Sequence, residues 1–192
     1  MKKTILFIAI AALAFSFKAI ENTVWTLDKA HSKLGFSITH MMISDVEGSF
    51  KTFDITITAP NKEDFADAVV EMTADINSID TDNEGRDNHL KNADFFDAPK
   101  YPTMTFKSTS FKKTEDKKYK IKGNLTMHGV TKEVELDAAG MVIENPYSKK
   151  PVAGFKVIGK IKRSDFGIAP TTSDAMLSDE VVIKVNAEFA KK

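Results

Sequence analysis

Residues 118–139 read KYKIKGNLTMHGVTKEVELDAA, and this stretch decides the fold. In its first half Tyr119, Ile121, Gly123, Leu125 and Met127 share one phase, and Lys118, Lys120, Lys122, Asn124 and Thr126 share the other. In its second half Val134, Leu136 and Ala138 oppose Glu133, Glu135 and Asp137. A period of two places successive side chains on opposite faces of a strand. His128-Gly129 between the halves predicts a tight hairpin, because glycine takes a positive φ without strain. The stretch is therefore a long antiparallel pair with one charged face and one face that must be buried.

The same alternation extends in both directions. Leu34, Phe36, Ile38 and His40 form one phase. Val46, Gly48 and Phe50 give way to Phe53, Ile55 and Ile57, and that odd-for-even switch predicts a bend near Lys51-Thr52. Further inward sets run through Ala68, Val70, Met72, Ala74 and Ile76, then Met104 and Phe106. Phe155, Val157, Gly159 and Ile161, then Val181, Ile183, Val185, Ala187 and Phe189, complete the pattern. One helical stretch, Asn83 to Phe96, interrupts it. Loops are expected near Pro60-Asn61-Lys62, Pro99 to Pro102, Asn145 to Pro151, and Asp165 to Asp179. Eight long strands, each with one apolar face, predict an all-β fold: an eight-stranded antiparallel barrel with a short helical insertion, closed so that no edge is exposed. The small inward residues Gly123, Gly159, Ala138 and Ala187 fit a filled barrel that interdigitates and equally a hollow one that leaves room for a ligand.

Composition removes several function classes. The 192 residues balance 27 Lys+Arg against 27 Asp+Glu, without the clustered positive face of a nucleic-acid binder. The absence of Cys removes disulfides, thiolate metal sites and cysteine nucleophiles. Met1-Lys2-Lys3, the apolar run Thr4 to Phe15 and the small residues after it have the three parts of a secretory signal peptide. Residues 1–19 are read as that leader, with cleavage between 14 and 19, and 23–190 as the barrel domain. The run is too short to span a bilayer. The mature chain is thus expected to be periplasmic or secreted and not integral to the membrane.

Candidate chemistry is sparse. His31, His40, His89 and His128 have no metal-ligand spacing, so no metal and no cofactor is implied. Asp28, His31 and Ser32 resemble parts of a hydrolase. His31 and Ser32 are neighbours on an extended chain, however, and point to opposite faces, and no nucleophile elbow occurs. A hydrogen-bonded corner is the expectation there. His128, in the turn, is expected to be exposed. Arg86 and Arg163 stand out in a lysine-rich chain, each close to an aspartate: Arg86-Asp87 and Arg163-x-Asp165. Either a buried Arg–Asp pair or a clamp for a polar head group would use that chemistry. In Asp94-Phe95-Phe96-Asp97, one of the two Phe is expected to face the barrel.

An ordered set of short motifs then carries a family resemblance. It comprises Trp25-x-x-Asp28-x-x-His31-Ser32 with Phe36 and His40, then Ile79-x-Thr81 with Arg86-Asp87-x-His89-Leu90, and Asp94-Phe95-Phe96-Asp97. It continues through Tyr101-Pro102, Phe106-x-Ser108, Gly123-x-Leu125-Thr126-x-x-Gly129-Val130-Thr131-Lys132, Arg163-x-Asp165-Phe166-Gly167 and Asp179-Glu180-Val181. In this order the chain resembles the YceI-like polyisoprenoid-binding proteins. The resemblance implies a lipocalin-like barrel in the cell envelope that holds a long isoprenoid, quinone or fatty-acid-like lipid without catalysis. A homodimer is compatible with the family and fixed by no feature here. A lipid or ester hydrolase, or an envelope stress protein with a filled barrel, would be the alternatives.

Strand phase supplies the predicted lining: Phe36, Ile38, His40, Phe50 and Met72 first, then Phe106, Leu125, Phe155 and Val157. The non-strand segments add Phe95, Phe96, Arg163 and Phe166. Candidates for a polar head group are His31, Arg86, His89 and Arg163.

Overall fold

The computed structural model describes residues 22–60 and 65–192. The leader reading of residues 1–19 lies outside them, as does most of the turn expected at Pro60-Asn61-Lys62. In chain order the strands are β1 (Thr23–His40), β2 (Ser44–Phe50), β3 (Phe53–Ala59), β4 (Val69–Asp75) and β5 (Ile79–Asp80). They continue as β6 (Thr103–Glu115), β7 (Lys118–Met127), β8 (Val130–Glu144), β9 (Pro151–Lys162) and β10 (Leu177–Lys191). Among the described residues one helix, α1 (Glu84–Leu90), interrupts them, with 3-10 turns at Ile76–Ser78 and Ser164–Phe166.

Ten segments fill eight positions of one closed antiparallel barrel. β1 pairs β10 along its whole length, from Trp25↔Lys191 to His40↔Leu177, and this closes the sheet. On its other edge β1 pairs β3 at residues 23–26 and β2 at residues 34–40. β2 and β3 are therefore one barrel strand, broken at the Lys51-Thr52 bend that the phase switch predicts. β4 and β5 are likewise one strand broken by the turn Ile76–Ser78: β4 pairs β3, and β5 pairs β2. β6 to β10 follow as successive hairpins.

The helix is shorter than its sequence signal. It starts where Asn83 caps it by accepting from the Arg86 amide at 2.9 Å, and it ends at Leu90. Residues 91–96 form turns instead, tied back by Phe96 N to Leu90 O.

Two of the register shifts among the described strands change the phase of the side chains that follow. Asp28 opposes Glu188 and Lys33 opposes Asn186, so β1 carries extra residues at 29–32. On β6, Ser108 opposes Gly123 and Ser110 opposes Lys122, so Thr109 is extra. This second bulge turns Phe111 into the barrel although Met104 and Phe106 lie in the even phase.

One end of the barrel is plugged by aromatic rings. Phe65 packs against Trp25 with tilted rings at 5.5 Å and meets Phe155 edge-on at 4.7 Å. Phe111 packs on Tyr119 at 5.1 Å, and Phe155 meets Phe189 at 6.1 Å. All six rings are buried. The inward glycines seat neighbouring side chains. A Cβ on Gly123 would lie 2.4 Å from the Phe106 ring, one on Gly140 2.3 Å from Phe155, and one on Gly159 2.2 Å from Leu136. The small residues thus let large ones lie flat along the wall.

Candidate functional site

Above the aromatic plug the barrel is hollow. A cavity of about 570 Å³ runs from the level of Phe111, Phe155 and Phe189 to the opposite end. That volume lies within the range of small-molecule pockets, roughly 300–1,000 Å³. Along β10 it is lined from Leu177 to Phe189, a path of about 40 Å of strand, or ~30 Å of axis at an ordinary tilt. Burial tells the same story. Ile57, Phe111, Ile121, Phe155 and Phe189 point inward and are buried, whereas Val134, Leu136, Val157, Ile183 and Val185 point inward yet are only half-buried, because the space they face is open. The filled-barrel alternative is thereby removed.

The lining is chemically graded. Its walls are Ile, Val, Leu, Met and Phe, and its polar side chains, Thr81, Arg86, His89, His40, Thr172 and Arg163, lie on the segments that frame the open end. Those segments are the β1–β2 hairpin, the stretch 81–96 and the loop 163–177. Ala169 N donates to Asp94 O, and Met41 N donates to Met176 O, so these segments are latched to one another. The lining residues that are also exposed are His40, Arg86, His89 and Met176, and they mark the mouth.

Most of the residues chosen by phase face this space. Phe36, Ile38, His40, Phe50, Met72, Phe106, Leu125, Phe155 and Val157 line it, as do Phe95 and Phe96. Phe166 does not. It is buried in its 3-10 turn, which packs against β8 and β9, because the turn ends strand periodicity at Lys162. Sequence phase missed Phe111, because of the bulge at Thr109, and Ile168, Thr172 and Met176, because irregular loops carry no period.

The arginines differ from expectation. Arg163 is 4% exposed and does not pair with Asp165. Its Nε donates to Ser178 O, its Nη1 to Ile168 O and Ala169 O, and its Nη2 to Thr172 O and Leu177 O, at 2.6–3.2 Å. All five N–H bonds are spent on backbone carbonyls, and Asp174, exposed, stands 3.6 Å away. Arg163 therefore pins the loop 163–177 and has no donor left for a head group. Arg86 also avoids the neighbouring aspartate. Its Nε donates to Thr81 Oγ1 and its Nη2 to Thr81 O, while Asp87 accepts from Thr81 N and Oγ1. Arg86 is held by Thr81 yet keeps Nη1 without a hydrogen bond among the described residues, at the cavity mouth.

The histidines separate into mouth and surface. His40 lines the mouth and is exposed. His89 pairs with Asp94 at 2.9 Å and packs edge-on against Phe95 at 4.9 Å. His128, expected to be exposed, is half-buried: its Nδ1 donates to Phe166 O at 2.9 Å and its ring packs against Tyr101. His31 is not near the cavity. The β1 bulge carries it to the outer surface, where Nδ1 lies 2.9 Å from Asp28 Oδ2. There Asp28, His31 and Glu188 bring their ligand atoms within 4.8 Å of one another on an exposed face. His31 is thereby corrected from head-group candidate to surface corner.

Its hydrogen bond to Asp28 holds the His31 pKa above 6.5, and the bond from His31 holds Asp28 below 3.8. A raised histidine stabilises fully below 6.5 and loses that as pH rises through its folded value. A lowered aspartate stabilises above 3.8 and loses that as pH falls through its folded value. The pair thus acts between these limits. In an NMR titration the His31 midpoint should lie above 6.5 and fall in Asp28→Asn, with Glu188 left to raise it; an unchanged midpoint in that variant would show that Asp28 is not the cause.

Among the described residues the lining includes no carboxylate, serine or lysine, and Thr81 Oγ1 is already bonded to Asp87. What the arrangement can do is enclose an apolar chain and leave its end among polar groups.

Comparison with known proteins agrees with this architecture. Residues 25–189 match the YceI-like domain. The chain is 40% identical to Protein YceI of Salmonella newport over 188 residues, 96% of this chain and 97% of that one. Among solved structures it is similar to the Campylobacter jejuni YceI protein, with 41% identity and TM-score 0.72 over 87% of this chain and 96% of that one. It is also similar to Burkholderia cenocepacia BcnA, with 28% identity and TM-score 0.73 over 84% and 98%. A polyisoprenoid-binding domain from Saccharophagus degradans shares the fold at 14% identity, with TM-score 0.62 over 88% and 98%.

Proposed function

This chain belongs to the YceI-like family, and from that premise we propose that it binds a long-chain isoprenoid, quinone or fatty-acid-like lipid, non-catalytically, inside its barrel in the cell envelope. The observation that carries this is the graded cavity, apolar over its whole depth and polar only around its mouth. A tail would exchange water for Phe, Ile, Val and Met walls. Ten buried carbons at ~0.8 kcal/mol each give about 8 kcal/mol gross. Association and ordering costs reduce that, and a longer chain still reaches micromolar affinity or better. The polar end rests at the mouth, near Arg86 Nη1 and His40. The leader pattern of residues 1–19 supports export to the periplasm or beyond.

The test is native mass spectrometry, with lipid extraction, of the protein purified from its exported compartment. A stoichiometric apolar adduct is expected, and its mass names the lipid. A bare protein mass that persists after incubation with long-chain polyprenols would overturn the proposal.

A further inference from the structure

The β1–β2 hairpin turns through Met41 and Met42, with φ of 51° and 61°, and closes by Ile43 N donating to His40 O. Three residues, 41–43, connect the partners His40 and Ser44, and the first two are left-handed, a conformation that Asn and Gly favour because other L side chains rarely adopt it. Here both positions carry methionine. The turn is therefore not chosen for the ease of its backbone, and its side chains do not pack inward either: Met41, Met42 and Ile43 are 46%, 73% and 83% exposed.

Met176, 51% exposed, joins them through the Met41 N to Met176 O bond and also lines the cavity. The exposed tip thus adjoins, at the rim, a residue that lines the cavity. No charged side chain occurs in residues 41–44. The other exposed large apolar residues, Val69, Met141, Ile143, Tyr147 and Ile158, lie away from the mouth.

We propose that the hairpin tip Met41–Ile43, with Met176, inserts into the surface of a lipid bilayer and sets the mouth of the cavity against the source of its ligand. This rests on the lipid-binding reading, because a chain apolar enough for the cavity resides in a bilayer rather than in water. A second copy of the chain fits less well. The tip with Met176 is four exposed apolar residues, against the roughly 20–30 residues a side of a stable dimer interface. Thioether side chains also suit a fluid apolar surface, being flexible and adaptable.

The experiment compares the mature protein with the triple variant Met41→Asn, Met42→Gly, Ile43→Thr, which installs the turn's preferred residues and should fold at least as well. Flotation with vesicles of phosphatidylethanolamine and phosphatidylglycerol reads insertion without reference to the cavity. Transfer of dansyl-labelled farnesol from such vesicles, against uptake of the same probe from ethanol, reads the route. The parent should float and the variant should not. Transfer should slow at least tenfold in the variant while its affinity for ethanol-delivered probe stays unchanged. A parent that floats but takes probe from neither source upholds the tip and sinks the cavity reading instead. A variant that floats and transfers like the parent overturns the proposal. So does a parent that never floats, and so does a parent dimer made monomeric by the variant, which would place a protein contact at the tip.

Discussion

Arg163→Met is expected to lower the free energy of unfolding by about 3–5 kcal/mol, the cost of breaking a buried, fully bonded charge network. The loop 163–177 has almost no regular structure of its own, and four of its carbonyls, with Ser178 O just beyond it, take their hydrogen bonds from one guanidinium. Methionine fills similar volume but donates nothing, so those carbonyls lose their partner. Water reaches the half-exposed ones, which keeps the loss below the sum of five charge-assisted bonds. Arg163→Lys should fall between, because an ammonium has three donors in one place and cannot span carbonyls from Ser178 to Ala169. Urea unfolding measures the loss, and amide exchange should quicken across residues 164–177 before it does in β7 or β8. If Arg163 instead clamped a ligand, Arg163→Met would unfold at the parental urea concentration and lose only binding; that result would overturn the assignment.

The same arginine shows where sequence reasoning reaches its limit. Its isolation among lysines marked it, and its inward phase placed it at a barrel end. Its partners were out of reach because they are backbone carbonyls, identical in every residue, and only the path of the loop brings them together. Asp165, two positions away, was the visible candidate and is not the partner. Strand phase carried the barrel because period-two alternation is a property of side chains alone. It carried the switch at Lys51-Thr52 because residues of one type change phase there. It failed at Thr109, where the inserted residue is polar on a polar face and leaves no gap in the pattern before Phe111. Nor could phase decide hollow from filled. Gly123 and Gly159 read as space for a ligand or for a neighbour, and the neighbours Phe106 and Leu136 take it. The cavity comes instead from the half-buried upper tiers, a consequence of barrel diameter that local sequence does not encode. The helical insertion's contribution was half legible: Phe95 and Phe96 stood out by composition, but that both turn inward depends on the bends after Leu90.

Val157→Phe combined with Val185→Phe should weaken binding of a long polyprenol about 100-fold while leaving the fold intact. The two valines are cross-strand partners on β9 and β10, both line the cavity, and both are half-buried. They lie one tier above Phe155 and Ala187, deep in the barrel and far from the mouth. Two added rings there exclude about four methylenes of chain, or ~3 kcal/mol at ~0.8 kcal/mol each. At ~1.4 kcal/mol per tenfold this is roughly two decades of affinity. Overpacking is the usual penalty for enlarging core residues, but these side chains face open space, so thermal unfolding should move little. Chain length turns the variant into a test of orientation. A short amphiphile such as decanol, held with its polar end near Arg86 and His40, ends above the blocked tier and should bind both proteins alike. Isothermal titration with the two ligands separates the outcomes. Equal losses for short and long chains would place the tail elsewhere, and equal affinities for both would mean that the deep half of the cavity takes no part in binding. A loss confined to the long chain fixes the direction: tail down toward the aromatic plug, polar end at the mouth, with depth of burial setting the affinity.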